Sequence, residues 1–282
     1  MCIGEYRYTA QLATLDKMQS PVRDVHKAFQ EIVTPLQWQM WDSLLATHPD
    51  QRFRRYIIEG IRNGFKIGFD YSRPLRSAGS NMASTRQMPG VIRDYLAEEC
   101  ALGRVVGPLP RGMFPEVHVS RFGLIPKKAP GEWRLIVDLS APEGRSVNDG
   151  VYEDLCSLKY ATVDDALVVI AQLGQGTILA KVDVQKAYRN VPIFPADRLL
   201  LGMVWDEQLY VDTALPFGLR SAPKIFTALA DAAEWIARQH NVSWIMHYLD
   251  DFLILGPPNT TACQANLSTL LTLPSLRNSV SR

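Results

Sequence analysis

The sequence has little of what marks secreted, zinc-binding or membrane proteins. Its four cysteines lie far apart and form no Cys-x-x-Cys pair, which argues against a zinc site and against a disulfide framework. No apolar run approaches the roughly 18 residues of a membrane span, and residues 1–10 lack the apolar core of a signal peptide. We therefore predict an intracellular chain, in the cytoplasm, the nucleus or both, with no membrane partner.

Net charge is nearly absent as well, but the charges are unevenly distributed. The chain has 30 Lys and Arg against 29 Asp and Glu, a formal charge of +1. Residues 52–134 contain 15 basic and 7 acidic residues, so the rest of the chain carries a charge of −7. A basic half of this kind either binds an anionic polymer or is a solvated face, and both interpretations stay open.

Apolar residues are plentiful. With 282 residues, 47% of them hydrophobic, the chain can bury a substantial core as one large domain or two modest ones. The signals are weak over residues 1–88, which we interpret as a helical extension and a linker. From residue 89 onward, strand-like runs, turns and helical patterns alternate more clearly.

The clearest local pattern is a pair of apolar runs within residues 243–256, which meet at Tyr248-Leu-Asp250-Asp251. It predicts a tight β-hairpin with an aspartate pair at its tip. Two neighbouring anions between buried strands repel each other and resist desolvation, and a bound divalent cation would compensate for both effects. An acidic hairpin turn is the alternative, since Asp is common in turns.

A second carboxylate occurs upstream, where residues 177–183 form a strand-like run that ends in Asp183. The end of a buried strand is a usual place for ligands to bind. A helix is predicted before it, because Thr162 and Asp165 resemble a capping box. The buried stripe of that helix is predicted to consist of Ala166, Val169, Ile170 and Leu173.

Two more hairpins are predicted. The first runs through residues 117–138 around an Ala-Pro-Gly turn, with Lys127 and Arg134 beside the turn; they either clamp an anion or form a charged, solvated tip. The second, over residues 199–212, leads into Leu215-Pro-Phe217-Gly218 and then a helix with Pro223 in its first turn.

Three features in chain order resemble the reverse transcriptase family: the strand-end Asp183, the Leu-Pro-Phe-Gly turn and the Tyr-Leu-Asp-Asp hairpin. The Lys127/Arg134 hairpin, which precedes them in the chain, resembles the fingertips of that family. Phrases such as Leu-Pro-Phe-Gly-Leu-Arg-Ser-Ala-Pro at residues 215–223 are most similar to DIRS-like retrotransposon enzymes. The resemblance implies an α+β fold, a right-hand polymerase with palm and fingers and no thumb. It implies fingers and palm over residues 89–256, after the extension at 1–88, and a truncated tail over 257–282.

The resemblance also implies the site. Asp183 and Asp250 would hold two Mg²⁺ ions, with Mn²⁺ as an alternative, and Asp251 and the Val184 carbonyl would be further ligands. Two such ions activate the attacking oxygen and stabilise the leaving one. The groups expected to bind the deoxynucleoside triphosphate are two phosphate-binding cations, a steric gate, a pocket floor and Val184, which is also a metal ligand: Lys127, Arg134, Tyr188, Phe217, Gly218 and Val184.

The function implied is that of a retrotransposon RNA-directed DNA polymerase, a nucleotidyltransferase with an RNA or DNA template, a primer and dNTPs as partners. RNase H and recombinase modules are expected elsewhere in the parent element. The family carries a lysine after the palm hairpin, but residues 252–282 contain none. The alternative is therefore a catalytically inactive remnant that binds nucleic acid. An RNA-synthesising polymerase is disfavoured, because a bulky Tyr188 should reject ribonucleotides.

Overall fold

The structure is a computed structural model that describes residues 20–127 and 131–272. Contacts between Cα atoms divide the chain into two units. Of the described residues, unit 1 takes 20–33, 63–127, 131–155 and 192–222, and unit 2 takes 34–62, 156–191 and 223–272. Each unit is therefore assembled from stretches that are far apart in the sequence.

The described helices are α1 (Ser20–Gln30), α2 (Trp38–Leu44), α3 (Gln51–Asn63), α4 (Ser84–Gln87), α5 (Pro89–Ala101), α6 (Val163–Leu173), α7 (Ala222–Gln239) and α8 (Ala262–Thr272). The strands are β1 (Val105–Pro110), β2 (Phe122–Pro126), β3 (Trp133–Val137), β4 (Ile178–Asp183), β5 (Gly202–Trp205), β6 (Gln208–Asp212), β7 (Ile245–Tyr248) and β8 (Asp251–Gly256). Among the residues described, no helix has both the length and the apolarity needed to cross a membrane.

Unit 1 contains two antiparallel sheets, one in the order β1-β6-β5 and one formed by β2 and β3. The paired strands of both hairpins predicted for this region are confirmed. Residues 128–130, which include part of the predicted Ala-Pro-Gly turn of the first hairpin, lie outside the described residues. In β3, Leu135 and Val137 are buried while Arg134 is exposed, as the alternation of side chains predicts. An apolar cluster lies against β1 and β6, where the rings of Phe29 and Phe114 pack 5.0 Å apart.

A fully buried arginine connects α1 to the rest of unit 1. The Arg198 side chain has no exposed surface. Its guanidinium donates hydrogen bonds to the carbonyls of Phe29 at 2.8 Å, Glu31 at 2.9 Å and Ile193 at 3.0 Å. Because the last carbonyls of a helix lack partners within the helix, Arg198 satisfies acceptors that burial would otherwise leave unpaired.

Unit 2 is built on the antiparallel sheet β4-β8-β7, with α8 packed against β4 and β8. The cross-strand row of Val182, Phe252 and His247 is buried. Since neighbouring residues on a strand point to opposite faces, the next row along, which holds Asp183, Asp251 and Tyr248, lies on the open face. The hairpin predicted from residues 243–256 is confirmed, and so is the α+β fold class.

Helix α6 begins as predicted but packs differently. The Thr162 hydroxyl accepts a hydrogen bond from the amide of Asp165, whose carboxylate accepts one from the Thr162 amide, so the capping box is present. The stripe predicted to be buried is only half-buried. Val163, Leu167 and Val168 lie outside that stripe and are exposed, while α6 packs against β8 of the sheet.

Candidate active site

The β7–β8 hairpin turns within two residues, Leu249 and Asp250, between the paired residues Tyr248 and Asp251. Leu249 adopts the left-handed conformation, with φ +53°. That conformation costs a residue with a side chain about 1–2 kcal/mol. Strain of this kind persists only where the surrounding structure enforces it, and it concentrates at functional sites.

Asp183 lies directly opposite Asp251, the first residue of β8. Partial desolvation raises the pKa of the Asp183 carboxyl, and the negative charges of Asp250 and Asp251 and a hydrogen bond with Asp251 raise it further. The amide of Val184 donates to the carbonyl of Asp250 at 3.1 Å, which fixes the turn against the end of β4. Asp183, Val184, Asp250 and Asp251 are thus brought together, as predicted.

Tyr188 lies in the 3-10 turn Ala187–Asn190, which directly follows this carboxylate group. Its ring packs edge-on against Phe226 of α7, with centroids 5.6 Å apart. Burial, together with the charge of Asp250, raises the pKa of Tyr188 to about 12. The phenol is therefore neutral near pH 7 and held in a defined position.

The remaining predicted site residues lie in unit 1. The guanidinium of Arg134 stacks over the ring of Phe217 at 5.4 Å. Gly218 has φ +99°, and its carbonyl accepts a hydrogen bond from the side-chain Nδ2 of Asn148 at 2.8 Å. The ammonium of Lys127 instead pairs with Glu132 at 3.1 Å, across the turn of the β2–β3 hairpin. Unit 1 therefore groups Arg134, Phe217 and Gly218.

The donor set suits a hard divalent cation, since Mg²⁺ and Mn²⁺ take carboxylate and carbonyl oxygens. The pKa of Asp183 is raised first by desolvation and then by the charges of Asp250 and Asp251, and a bound cation would oppose both effects. Within residues 20–127 and 131–272, no three carboxylate, imidazole or thiol groups already converge as a preformed metal cluster. The carboxylate and carbonyl donors of Asp183, Val184, Asp250 and Asp251 are of the type that fits a divalent metal ion.

Residues 125–275 match the protein family described as reverse transcriptase (RNA-dependent DNA polymerase). The matched segment covers more than half of the chain. The chain belongs to the reverse transcriptase family. The resemblance predicted from the sequence is confirmed at the level of the family.

Solved reverse transcriptases share the fold. The native protease-reverse transcriptase of prototype foamy virus has a TM-score of 0.54 and 19% identity, covering 94% of this chain and 32% of that one. The foamy viral enzyme in complex with an RNA/DNA hybrid has a TM-score of 0.52 and 15% identity, covering 86% and 32%. This reverse transcriptase chain therefore spans about a third of the length of these proteins.

Two residues near the carboxylates were missed by sequence reasoning. The ammonium of Lys181 lies 2.8 Å from Oδ2 of Asp251, and the ring of Tyr160 packs against that of Tyr248 at 5.0 Å. Lys181 stands two positions before Asp183, so the period of a strand places both on one face and could have identified it. Tyr160 lies in an irregular segment before α6, and no local pattern points to it.

Proposed function

We propose that this reverse transcriptase chain extends a primer by adding deoxynucleotides under the direction of an RNA template. The observation that carries the proposal is the arrangement of Asp183 opposite Asp251, with Asp250 in the adjoining two-residue turn. Carboxylates brought together in this way favour binding of divalent cations, and template-directed nucleotidyl transfer uses two such ions held by carboxylates.

In this proposal Asp183 and Asp250 hold two divalent ions, with Asp251 and the Val184 carbonyl as additional ligands. Mg²⁺ is the expected ion and Mn²⁺ the alternative. When bound, the ions activate the primer 3′-hydroxyl and stabilise the leaving oxygen. The protein contributes the fixed spacing of its carboxylates, since β4, β8 and the turn between β7 and β8 hold them before the substrate arrives.

The proposed nucleotide-binding groups are those that the family resemblance implies. Arg134 suits bidentate contact with a phosphate, and its stacking on Phe217 reduces the number of orientations available to the guanidinium. Lys127 contributes a second positive charge if its exposed pair with Glu132 opens, which a weak surface ion pair allows. Tyr188 acts as the gate against the ribose 2′-hydroxyl, and Phe217 and Gly218 form the floor of the pocket.

The template and primer are RNA or DNA, in keeping with the structures of similar proteins in complex with double-stranded DNA and with an RNA/DNA hybrid. The sequence phrases favour a DIRS-like retrotransposon as the source, with RNase H and recombinase modules elsewhere in the element. We also propose that the fingers and palm begin after residue 88 and end at residue 256, and that the chain is intracellular.

The test is primer extension on an RNA template by the purified chain, with and without Mg²⁺. We expect extension to need the ion, and Asp183→Asn and Asp250→Asn to reduce it at least about a hundredfold. Asp164→Asn is the matched control, because Asp164 is an exposed carboxylate on α6 of the same unit. Full activity in the Asp183 and Asp250 variants would remove the proposed site.

The same preparation tests the alternative of a non-catalytic remnant. Its basic half would bind template and primer with an affinity that falls steeply as salt rises. Salt-dependent binding without any incorporation would favour the remnant over the polymerase. Detectable Mg²⁺-dependent extension would exclude it.

A further inference from the structure

Lys181 places a positive charge on the carboxylates of unit 2. Lys181 and Asp183 are two residues apart on β4, so their side chains leave the same face of the sheet. The ammonium of Lys181 lies 2.8 Å from Oδ2 of Asp251. One of the three aspartates is thus already paired with a cation that belongs to the chain.

This pair is open to water. The side chain of Lys181 is 63% exposed and that of Asp251 is 39% exposed. An ion pair exposed to this degree is weakly held, because water screens the attraction and the long lysine side chain keeps its freedom. A divalent ion arriving at the carboxylates can therefore displace the ammonium.

The ion pair between Lys181 and Asp251 also affects which carboxylate oxygens are available to a metal ion. Asp251 faces Asp183 across the sheet, yet the described residues contain no preformed cluster of three metal-binding groups. An ammonium on Oδ2 of Asp251 occupies one of the oxygens that such a cluster would use. It also offsets part of the repulsion among Asp183, Asp250 and Asp251 when no ion is present.

We propose that Lys181 is a positioning residue that competes with divalent ions for Asp251 and so sets the metal affinity of the site. The inference rests on the proposed function, since it takes Asp183 and Asp250 to be the main ligands. In the metal-free chain Lys181 stabilises the hairpin. In the metal-bound chain it repels the ions and keeps their affinity low enough for exchange.

Removing the charge of Lys181 should therefore strengthen metal binding and destabilise the metal-free chain. If a bound divalent ion lay about 6 Å from the ammonium, their repulsion in a water-like medium would weaken binding of the ion by about tenfold. Lys181→Met should accordingly lower the dissociation constant for Mn²⁺ about tenfold. The same substitution should lower the unfolding temperature in EDTA, because three carboxylates then face one another without compensation.

The experiment measures free Mn²⁺ by electron paramagnetic resonance during titration of the full chain. Lys181→Gln serves as a second variant that keeps a polar side chain, and Lys181→Arg keeps the charge and should retain the wild-type affinity. Lys159→Met removes an exposed lysine from the same unit and should change neither the affinity nor the unfolding temperature in EDTA.

The outcomes separate this inference from the proposed function. The metal site stands if the wild type binds Mn²⁺ and Asp183→Asn abolishes that binding. If, in addition, Lys181→Met and Lys181→Gln leave the affinity for Mn²⁺ unchanged or weaker, the proposed role of Lys181 is wrong. If Asp183→Asn binds Mn²⁺ as the wild type does, or if neither binds it, the proposed site fails and the inference fails with it.

Discussion

The ring of Tyr188 meets the ring of Phe226 edge-on, with centroids 5.6 Å apart and an interplanar angle of 61°. Tyr188 belongs to the 3-10 turn after β4, and Phe226 to the first turns of α7. The predicted steric gate is thus supported from behind by a helix. A gate can exclude a hydroxyl group only if its own position is fixed, so Phe226 should matter for sugar selection as well.

We expect Tyr188→Val to reduce the preference for dNTPs over NTPs at least about tenfold, as removal of a steric barrier does in other pockets. Phe226→Leu should reduce the preference by a smaller factor, because the gate remains but its support is weaker. The measurement is the ratio of kcat/KM for a dNTP and the matching NTP. Tyr56→Val on α3 is the matched control and should leave this ratio unchanged. An unchanged ratio in Tyr188→Val would contradict the role of Tyr188 as the gate.

Gly218 should be intolerant of any side chain. Its φ of +99° is strained for other residues, and an added Cβ would lie 2.7 Å from the carbonyl oxygen of Val137. Gly112 has a similar φ of +90° but open space around the added atom. We expect Gly112→Ala to lose about 1–2 kcal/mol from strain alone, and Gly218→Ala to lose about 1–3 kcal/mol more from overpacking.

Urea unfolding of both glycine variants measures the difference. Equal losses would show that the contact with Val137 relaxes without cost. The loss in Gly218→Ala should also appear as weaker dNTP binding if Gly218 is part of the pocket floor.

Arg198 should be essential for the attachment of α1. Replacing it with Met keeps most of the volume but leaves the carbonyls of Phe29 and Ile193 without their donor. Unpaired buried acceptors are costly, and removal of a buried charge offsets only part of that cost, so we expect a net loss of about 3 kcal/mol. Arg93→Met, at an exposed position on α5, should change stability by less than about 0.5 kcal/mol.

Hydrogen exchange adds a local test of the same contact. Arg198→Met should speed the exchange of the α1 amides more than that of the β7 and β8 amides. Uniform acceleration across the chain would instead indicate a general loss of stability without a specific role at α1.

Asp197 should make stability depend on pH. Its carboxylate is 4% exposed and accepts hydrogen bonds from the amide of Ile67, at 2.8 Å, and from the hydroxyl of Tyr71. Burial raises the pKa of Asp197, although these hydrogen bonds and the charge of Lys66 oppose the rise. A raised pKa in the folded state gives a stabilisation that is present below the unfolded-state pKa and is lost as pH rises through the folded-state pKa.

We therefore expect the free energy of unfolding of the wild type, relative to Asp197→Asn, to fall as pH rises through the pKa of Asp197 and then to level off. Asn keeps an acceptor of the same shape and does not ionise in this range. Urea unfolding at a series of pH values gives the difference directly. A difference that is constant with pH, or that grows as pH rises, would contradict the raised pKa.

Much of the fold and part of the site follow from local sequence. Alternating apolar residues and compact turns predict the hairpins over 122–137, 202–212 and 245–256, because the two-residue period of a strand and the chemistry of a turn are local properties. The capping box at Thr162 is local for the same reason. The prediction that one stripe of α6 is fully buried was wrong, because the neighbouring elements decide how much of a helix face is covered.

The sequence by itself determined that Asp183 ends a strand, that Asp250 and Asp251 occupy a hairpin, and that Tyr188 follows Asp183. Only the tertiary structure decided that Asp183 faces Asp251, that Lys181 pairs with the same carboxylate and that Phe226 supports Tyr188. These contacts join β4 to β7, β8 and α7 across long stretches of chain. Strand register between distant segments is set by packing and long-range pairing, which no local pattern records.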